Sequence, residues 1–325
     1  MYSPMILSAT GSLASGGSIP LDSRRLSNTF RTPMIVDEIR FIVRTPTASS
    51  NSSTLRFNLG GSIRVKLTAG KLELTNGFVP LWNLSPNYQR LSQYKSVSTF
   101  RPNGEELAQS VGDVSAGIFY NHFRWLLPCK FWMPPGMSIS AVISRAVDGV
   151  SGSVATGNAT VDVAIVGRAV TGRYIMPKTT QVPWASCWVG TAGTGGTDLN
   201  TVQRSGQLDL INPYLSTIKI QRMIGRLQLF NSTDLVLDDD IRAGVETATT
   251  TPDPVKVKIA DSRGNIVTRD FANFYDVFYL GRRAWTFDTE LKPKERINVE
   301  VTRIPDGDTP FVSLIGSRVD ALRNF

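Results

Sequence analysis

Residues 135–145 read PGMSISAVISR, and residues 293–303 read PKERINVEVTR. Each stretch places a proline four residues ahead of an alternating apolar strand that closes on arginine. Each is followed by a second strand that ends on glycine, since residues 163–167 read VAIVG and residues 312–316 read VSLIG. Solenoid units are much shorter than the distance between these copies, so the repeat indicates a duplicated β-domain.

Further pairs of segments keep the same order along the chain. They are 63–67 with 255–259, 78–83 with 271–276, and 36–41 with 224–229. Any two antiparallel sheets share alternation, so each pair alone is weak. Several pairs in one order favour duplication.

The pattern of short alternating runs and turn residues predicts an all-β fold with few short helices. We expect two tandem antiparallel β-sandwiches. The predicted divisions are an N-terminal arm at 1–28, a first β-sandwich at 29–171, a linker at 172–213, and a second β-sandwich with a C-terminal tail at 214–325. The first half carries an extra segment around 85–121, and the second carries one around 231–254.

The composition indicates a globular chain with a basic surface. The 325 residues are 41% hydrophobic and 19% charged, which suffices to bury real cores. The net charge of +8 points to an anionic neighbour such as nucleic acid or a lipid surface. The basic residues are scattered, so a solvated surface explains them equally well, and the densest spots include Arg24, Arg25 and Arg31.

The two cysteines and the N-terminus bear on the compartment. Cys129 and Cys187 could form one disulfide, but the two thiols cannot make a framework of disulfides or a four-ligand zinc site. The start of the chain does not read as a signal peptide, and no apolar run is long enough to span a bilayer. We expect a protein made in a reducing compartment with Cys129 as a buried free thiol.

The residue pattern contains no catalytic constellation, so we expect no enzyme activity and no cofactor. The single histidine, His122, lies among aromatic residues, where packing is the usual role. The glycine-rich stretch at 190–196 lacks the helix that a phosphate-binding loop requires. Three adjacent carboxylates are weak candidates for a metal site, although a solvated loop explains them better: Asp238, Asp239 and Asp240.

The aromatic residues are a more informative group. Most of them fall on predicted strands, where a sandwich core is favoured over a carbohydrate-stacking platform. Trp184 and Trp188 fall in the predicted linker. They are therefore candidates for capping the seam between the halves or for contacting another subunit.

In its duplicated segments, the chain resembles the double jelly-roll major capsid proteins of tailless icosahedral viruses. This is the adenovirus-like lineage, which often has an internal membrane. The residues that carry the resemblance are Pro135, Ile139, Ile143 and Arg145, set against Pro293, Ile297, Val301 and Arg303. The resemblance covers nearly the whole chain and rests on the duplication, the size, the linker and the arm.

The resemblance implies a structural virion protein. Each half would be an upright jelly roll, and three copies would form a pseudo-hexameric trimer in an icosahedral shell. The partners would be further copies of the chain, penton or minor capsid proteins, and an internal membrane or genome. Arg24, Arg25 and Arg31 would face inward, and the chain would be made in the host cytoplasm and reside in the virion.

Two other classes remain open on the sequence. One is a β-sandwich that binds or acts on glycans, for which Trp82, Trp184, Trp188 and the carboxylates at 238–240 are the candidate residues. The other is a spike or tail accessory protein of a phage.

Overall fold

The computed structural model describes residues 2–14, 16–46, 63–85, 118–145, 158–171, 177–191, 193, 201–228, 255–261, 268, 270–278, 285–304 and 309–321. Most of these residues lie in β-strands, and the helices among them are the short α1 (Leu81–Leu84) and α2 (Phe274–Phe278). Within the described ranges, neither the length nor the hydropathy of any helix is sufficient for a membrane span. The predicted all-β fold with few short helices is confirmed.

The strands of the first half follow one another from Tyr2 to Val170. In chain order they are β1 (Tyr2–Leu13), β2 (Ser18–Pro20), β3 (Met34–Pro46), β4 (Ile63–Ala69), β5 (Leu72–Glu73), β6 (Thr75–Asn76), β7 (Val79–Pro80), β8 (Ile118–Met133), β9 (Ile139–Arg145) and β10 (Ala159–Val170).

The strands of the second half run from Thr179 to Ala321. They are β11 (Thr179–Val189), β12 (Gln203–Arg204), β13 (Ile218–Gln228), β14 (Lys256–Asp261), β15 (Ala272–Asn273), β16 (Trp285–Leu291), β17 (Ile297–Thr302) and β18 (Thr309–Ala321).

Each half consists of two facing antiparallel sheets. In the first half, sheet I has the order β1-β10-β3-β8, and sheet II has the order β2-β9-β4-β5 with β7 also paired to β4. In the second half, sheet III has the order β11-β18-β13-β16, which repeats sheet I strand for strand. Sheet IV has the order β12-β17-β14-β15, which repeats sheet II with β15 in the place of β7 rather than of β5. Two four-stranded sheets in this order form a jelly roll, so the described chain is a double jelly roll.

A glycine opposite a β-bulge occurs once in each half and fixes which residues of the two halves correspond. Gly167 pairs with Val36 and Gly316 pairs with Ile220, and in each case the next residue of the bulged strand is left out of the ladder. Segment 36–41 therefore corresponds to 220–225, and its predicted pairing with 224–229 is wrong by four residues. A shift by an even number preserves the alternation of faces, so the pattern alone cannot detect it.

The start of the chain differs from the predicted arm. Tyr2–Leu13 is a strand of sheet I and pairs with β10 along its whole length. Met5, Leu7, Ala9 and Leu13 face the core and are buried. The apolar residues dotted singly through this segment are therefore the inward positions of a strand.

The predicted linker also contains a strand. Thr179–Val189 is β11, the first strand of the second jelly roll, and it pairs with β18. Pro183 lies inside it, opposite Ser317. Proline normally argues against a paired strand, which explains why the residue pattern indicated a linker here.

The two jelly rolls have one end with tight turns, which we call the base. In the first half the base comprises the loop 21–33 and the turn 134–138, and in the second it comprises 205–217 and 292–296. The strand ends that flank 47–62, 86–117 and 229–254 lie at the opposite end, because β3, β8 and β13 meet the base at their other termini. The predicted insertions at 85–121 and 231–254 fall almost entirely outside the described residues.

A buried asparagine organises the base of each half. Asn28 is fully buried, and its amide nitrogen donates hydrogen bonds to the carbonyl oxygens of Thr32 (3.0 Å) and Met133 (2.9 Å). Its side-chain oxygen accepts a hydrogen bond from the backbone N–H of Phe30. The side chain therefore ties the loop before β3 to the end of β8.

Asn212 repeats this arrangement in the second half. It is also fully buried, and its amide nitrogen donates to the carbonyl oxygens of Ser216 (2.9 Å) and Leu291 (2.8 Å). Its side-chain oxygen accepts from the N–H of Tyr214. Identical networks at corresponding positions support the duplication at atomic detail.

Candidate assembly surfaces

The outer face of sheet III is covered by the first half of the same chain. Five apolar side chains of the second half belong to the first core: Val182, Ala185, Ile224, Phe311 and Ile315. The cover comes from β6, which adds a parallel strand to the edge of β11, and from α1, which packs against β18 and β13. Strand β18, at the middle of sheet III, is thus buried on both faces, and we call this interface the seam.

Polar contacts across the seam add specificity to the apolar contact. The Asn83 amide donates to Ser313 Oγ at 2.8 Å, and Arg226 Nη2 donates to the Ser85 carbonyl at 3.0 Å. Both contacts are buried, and buried hydrogen bonds fix geometry because an unmade bond costs the full desolvation of its groups. They hold α1 in one position on sheet III.

A charged and aromatic cluster closes the seam near the base. The Arg318 guanidinium lies 3.7 Å from the centre of the Tyr214 ring, and its Nη1 donates to the Glu73 carbonyl. The Tyr214 hydroxyl donates to Glu73 Oε2 at 2.9 Å. Burial raises the pKa of Tyr214, so the hydroxyl stays protonated and keeps donating across the neutral range.

The corresponding face of the first half is open. Counted from the paired glycines, Ala164 corresponds to Ser313 and Val166 to Ile315, and the β1 residue beside Val166 is Ile6. Ile6 is 65% exposed, although its counterpart Ala185 is buried in the seam. We call the outer surface of sheet I, with Ile6, Ala164 and Val166 at its middle, the open face.

The two tryptophans of the predicted linker are core residues. Trp184 and Trp188 lie on β11, are almost completely buried and pack in the second core. Their spacing of four places both on the inner side of the strand. They are therefore not available at the surface of the chain for contact with another subunit.

The three arginines assigned to an inward face lie in the basal loop of the first half. Arg24, Arg25 and Arg31 are all exposed. Arg25 makes only a long contact of 3.9 Å with Asp22, and an exposed pair of this kind contributes little stability. Their charge is available to a partner at the base.

The remaining predicted site residues lie outside the part of the chain that the structure describes. Asp238, Asp239 and Asp240 fall outside the described residues, as do the side chains of Trp82 and His122. Across the described ranges, no group of three His, Cys, Asp or Glu side chains is arranged to hold a metal ion.

The two cysteines are free thiols. Burial raises the pKa of each thiol from 9.0 to about 12. At Cys187 a hydrogen bond with Ser313 opposes this effect only in part. A buried, protonated thiol is a poor nucleophile, so both cysteines serve packing.

The raised thiol pKa values predict a loss of stability at alkaline pH. The folded state binds these protons more tightly than the unfolded state, so their contribution is complete below pH 9.0 and declines above it. We expect the free energy of unfolding, measured in urea, to fall above that pH. The Cys129→Ala/Cys187→Ala variant should flatten the slope by at most about 1.4 kcal/mol per pH unit and per thiol. If the variant kept the wild-type slope of unfolding free energy against pH, the prediction would be contradicted. In the variant, only the contribution of Tyr214 to that slope should remain.

The seam and the open face are the features that the sequence prediction missed. In the structure the cover is visible in β18, because residues 310–318 are buried without interruption, whereas the corresponding β10 alternates between buried and half-buried positions. A strand buried on both faces loses its alternation. The sequence itself carries no such contrast, since 312–316 read VSLIG and 163–167 read VAIVG.

Comparison with known proteins identifies the fold. No family model matches the sequence, and no curated protein matches it. Among solved structures, the chain is similar to the crystal structure of the major capsid protein of STIV, with 14% identity, 98% of this chain and 96% of that chain covered, and a TM-score of 0.50. It is also similar to the capsid protein of the PBCV-1 virus capsid, with 10% identity, coverage of 98% and 94%, and a TM-score of 0.51. The chain therefore has the fold of the double jelly-roll major capsid proteins.

Proposed function

We propose that this chain is a major capsid protein that assembles as a pseudo-hexameric trimer into an icosahedral shell. Its place is the virion, and its principal partners are further copies of itself, with penton or minor capsid proteins at specialised positions. The role is structural and requires no catalysis. The similarity in fold supports the class, and the contrast between the seam and the open face supports the mode of assembly.

The observation that carries the proposal is that one of two equivalent faces is covered and the other is not. Sheet III is covered by α1, β6 and β8 of the first half. The counterparts of α1 and β8 in the second half are α2 and β16. A second copy can therefore cover the open face with the surface formed by its α2 and β16. This contact would be equivalent to the one that α1 and β8 make with sheet III.

This contact is heterologous, because two different surfaces meet. Heterologous contacts form a ring when the rotation closes and a filament when it does not. Within one chain, this type of contact occurs once, at the seam, where the first jelly roll covers sheet III of the second. In a trimer, the α2 side of each copy makes the equivalent contact with the open face of the next copy. Six jelly rolls then surround one axis, and every open face is covered.

The open face provides the test. Ala164→Arg places a long cation at the position that corresponds to Ser313 of the seam, and burying it without a partner costs about 3–5 kcal/mol per contact. We expect the wild type to be a trimer by light scattering after size exclusion and the variant to be a monomer. Because Ala164 is half-buried in the chain itself, the variant should remain a folded monomer that unfolds in one cooperative thermal transition, although without the added stability of the trimer.

The matched control introduces at position 164 the residue that the second half has at the corresponding position. Ala164→Ser introduces the residue that the seam already accommodates at Ser313, so the variant should remain trimeric. A wild type that stays monomeric at high concentration, with no particles on co-expression with its partners, would refute the proposal. Trimers formed by the arginine variant would refute the open face as the contact.

A further inference from the structure

The first strand of the chain leaves one long edge without a neighbour. β1 lies at the end of sheet I and pairs with β10 on one side, and no strand among the described residues pairs with its other side. Its twelve residues, Tyr2–Leu13, contain no charged side chain. Proteins normally protect a long edge strand with charged residues, bulges or a cover, because its unpaired N–H and C=O groups accept any added strand. The edge of β1 therefore indicates a partner strand.

In the second half, the corresponding edge is covered. Thr75 of β6 pairs with Ala185 of β11 as a parallel strand, and the N–H of Ala185 donates to the Leu74 carbonyl at 3.0 Å. Ile6 is the counterpart of Ala185, and it pairs with β10 in the register in which Ala185 pairs with β18. The N–H of Ile6 therefore points to the free edge of β1, as the N–H of Ala185 points to β6.

A proline in each half agrees with this direction. Pro4 of β1 corresponds to Pro183 of β11, and each lies two residues before the position that Ile6 and Ala185 share. N–H groups two residues apart on a strand point to the same side. Proline has no N–H and is accepted on an edge strand where that group would face away from the sheet. Both first strands thus turn the same side outward.

The second half has its own copy of the segment that supplies β6. The N–H of Leu67 in β4 donates to Thr75 Oγ1, and the N–H of Ile259 in β14 donates to Thr268 Oγ1, each at 2.9 Å. Helix α1 begins six residues after Thr75, and α2 begins six residues after Thr268. Thr268 is therefore the counterpart of Thr75. Within the described part of the chain, Thr268 belongs to no strand and to no isolated bridge.

We propose that Thr268 of one copy pairs with Ile6 of the next copy as a parallel strand, which extends sheet I across the boundary between two chains. The inference rests on the proposed trimer and adds a backbone contact at a defined position. The spacing between Thr268 and α2 equals that between Thr75 and α1, so a copy that lays α2 on the open face also brings Thr268 to the edge of β1. Strand addition of this kind takes its affinity from main-chain hydrogen bonds.

Engineered cysteines test the register of this contact. In the Cys129→Ala/Cys187→Ala background, Ile6→Cys/Thr268→Cys should form disulfides between chains under mild oxidation. Neighbouring strands lie about 4.8 Å apart, within the Cα separation of about 4.4–6.8 Å that a disulfide requires. Denaturing electrophoresis without reductant should show covalent dimers and trimers. The control Ser12→Cys/Thr268→Cys places an exposed thiol on the same strand about 20 Å away and should show neither.

Two substitutions at Ile6 test the hydrogen bond itself. Ile6→Ala introduces the residue of the internal bridge and keeps the N–H, whereas Ile6→Pro removes the N–H. Both remove the isoleucine side chain, so the comparison between them isolates one main-chain donor. We expect the trimer of Ile6→Pro to be about tenfold weaker per contact than that of Ile6→Ala, measured by light scattering over a dilution series. Circular dichroism should show the same strand content in both, and the cysteine test reads the contact independently of proline.

The outcomes separate this inference from the proposed function. A trimeric wild type whose Ile6→Cys/Thr268→Cys variant keeps its thiols free would overturn the parallel bridge and leave the trimer in place. A monomeric wild type would overturn both. Covalent dimers of Ile6→Cys alone would show that two β1 edges meet, which excludes Thr268 as the partner. Equal trimer affinity in Ile6→Pro and Ile6→Ala would contradict the backbone contact.

Discussion

Asn212→Ala is expected to lower the free energy of unfolding by about 3 kcal/mol or more, and Asn28→Ala by a similar amount. Each asparagine is fully buried and makes three hydrogen bonds to backbone groups. Alanine leaves two carbonyl oxygens and one N–H without their partner inside the base. Each abandoned group costs about 1–3 kcal/mol of desolvation, although water entering the site recovers part of it.

Urea unfolding of the purified chain measures this effect. Thr217→Ala and Thr29→Ala are the controls, because these exposed residues lie in the same two loops and should change stability by less than about 0.5 kcal/mol. Asn212→Asp is informative as well, since a carboxylate accepts hydrogen bonds but cannot donate to the two carbonyls. A stability equal to that of the wild type in Asn212→Ala would show that the amide is dispensable.

The asparagines also show what the sequence could have supplied. Residues 26–34 read LSNTFRTPM and residues 210–218 read LINPYLSTI, so leucine, asparagine, an aromatic residue and a hydroxyl residue recur at the same spacing. The match straddles the predicted end of the arm at residue 28 and the predicted end of the linker at residue 213. Turn residues and prolines dominate both segments, and such residues recur in any loop, so the match alone does not indicate equivalent positions.

The duplication itself was predictable because it rests on strands with one face in the core. The pairing of 135–145 with 293–303 is confirmed by β9 and β17, which hold the same position in sheets II and IV. The pairing of 78–83 with 271–276 is confirmed by α1 and α2, each of which follows a short strand paired with β4 or β14. In these segments local alternation and tertiary position agree.

The contact between the halves could not be predicted in the same way. Whether an outer face is covered depends on which surface the other half presents, and that depends on the placement of α1, a helix of four residues. Its Asn83 reaches Ser313 across 230 positions of sequence. No local pattern encodes such a partner, because β18 is no more apolar in sequence than β10, although it is the more deeply buried of the two.

The two glycines at the bulges give the second prediction with a large effect. Gly167→Ala and Gly316→Ala should each destabilise the chain by about 3 kcal/mol or more. A Cβ atom on Gly167 would lie 2.1 Å from the Ile35 carbonyl oxygen, and one on Gly316 would lie 2.2 Å from that of Lys219. Both obstacles are backbone atoms of a bulged neighbouring strand, so relief requires opening the central pair of sheet I or sheet III.

A third glycine separates this steric effect from backbone strain. Gly136 has a φ of 82° in the basal turn, but a Cβ there meets nothing within 4 Å. In the second half Lys294 holds the corresponding position with a φ of 66°, so a side chain is tolerated. Gly136→Ala should therefore cost only about 1–2 kcal/mol. Thermal unfolding of the three alanine variants, with the yield of folded protein as a second measure, should rank Gly136→Ala as by far the mildest. Equal losses in all three would show that conformational freedom, and not the close approach of the strands, is what the bulge glycines provide.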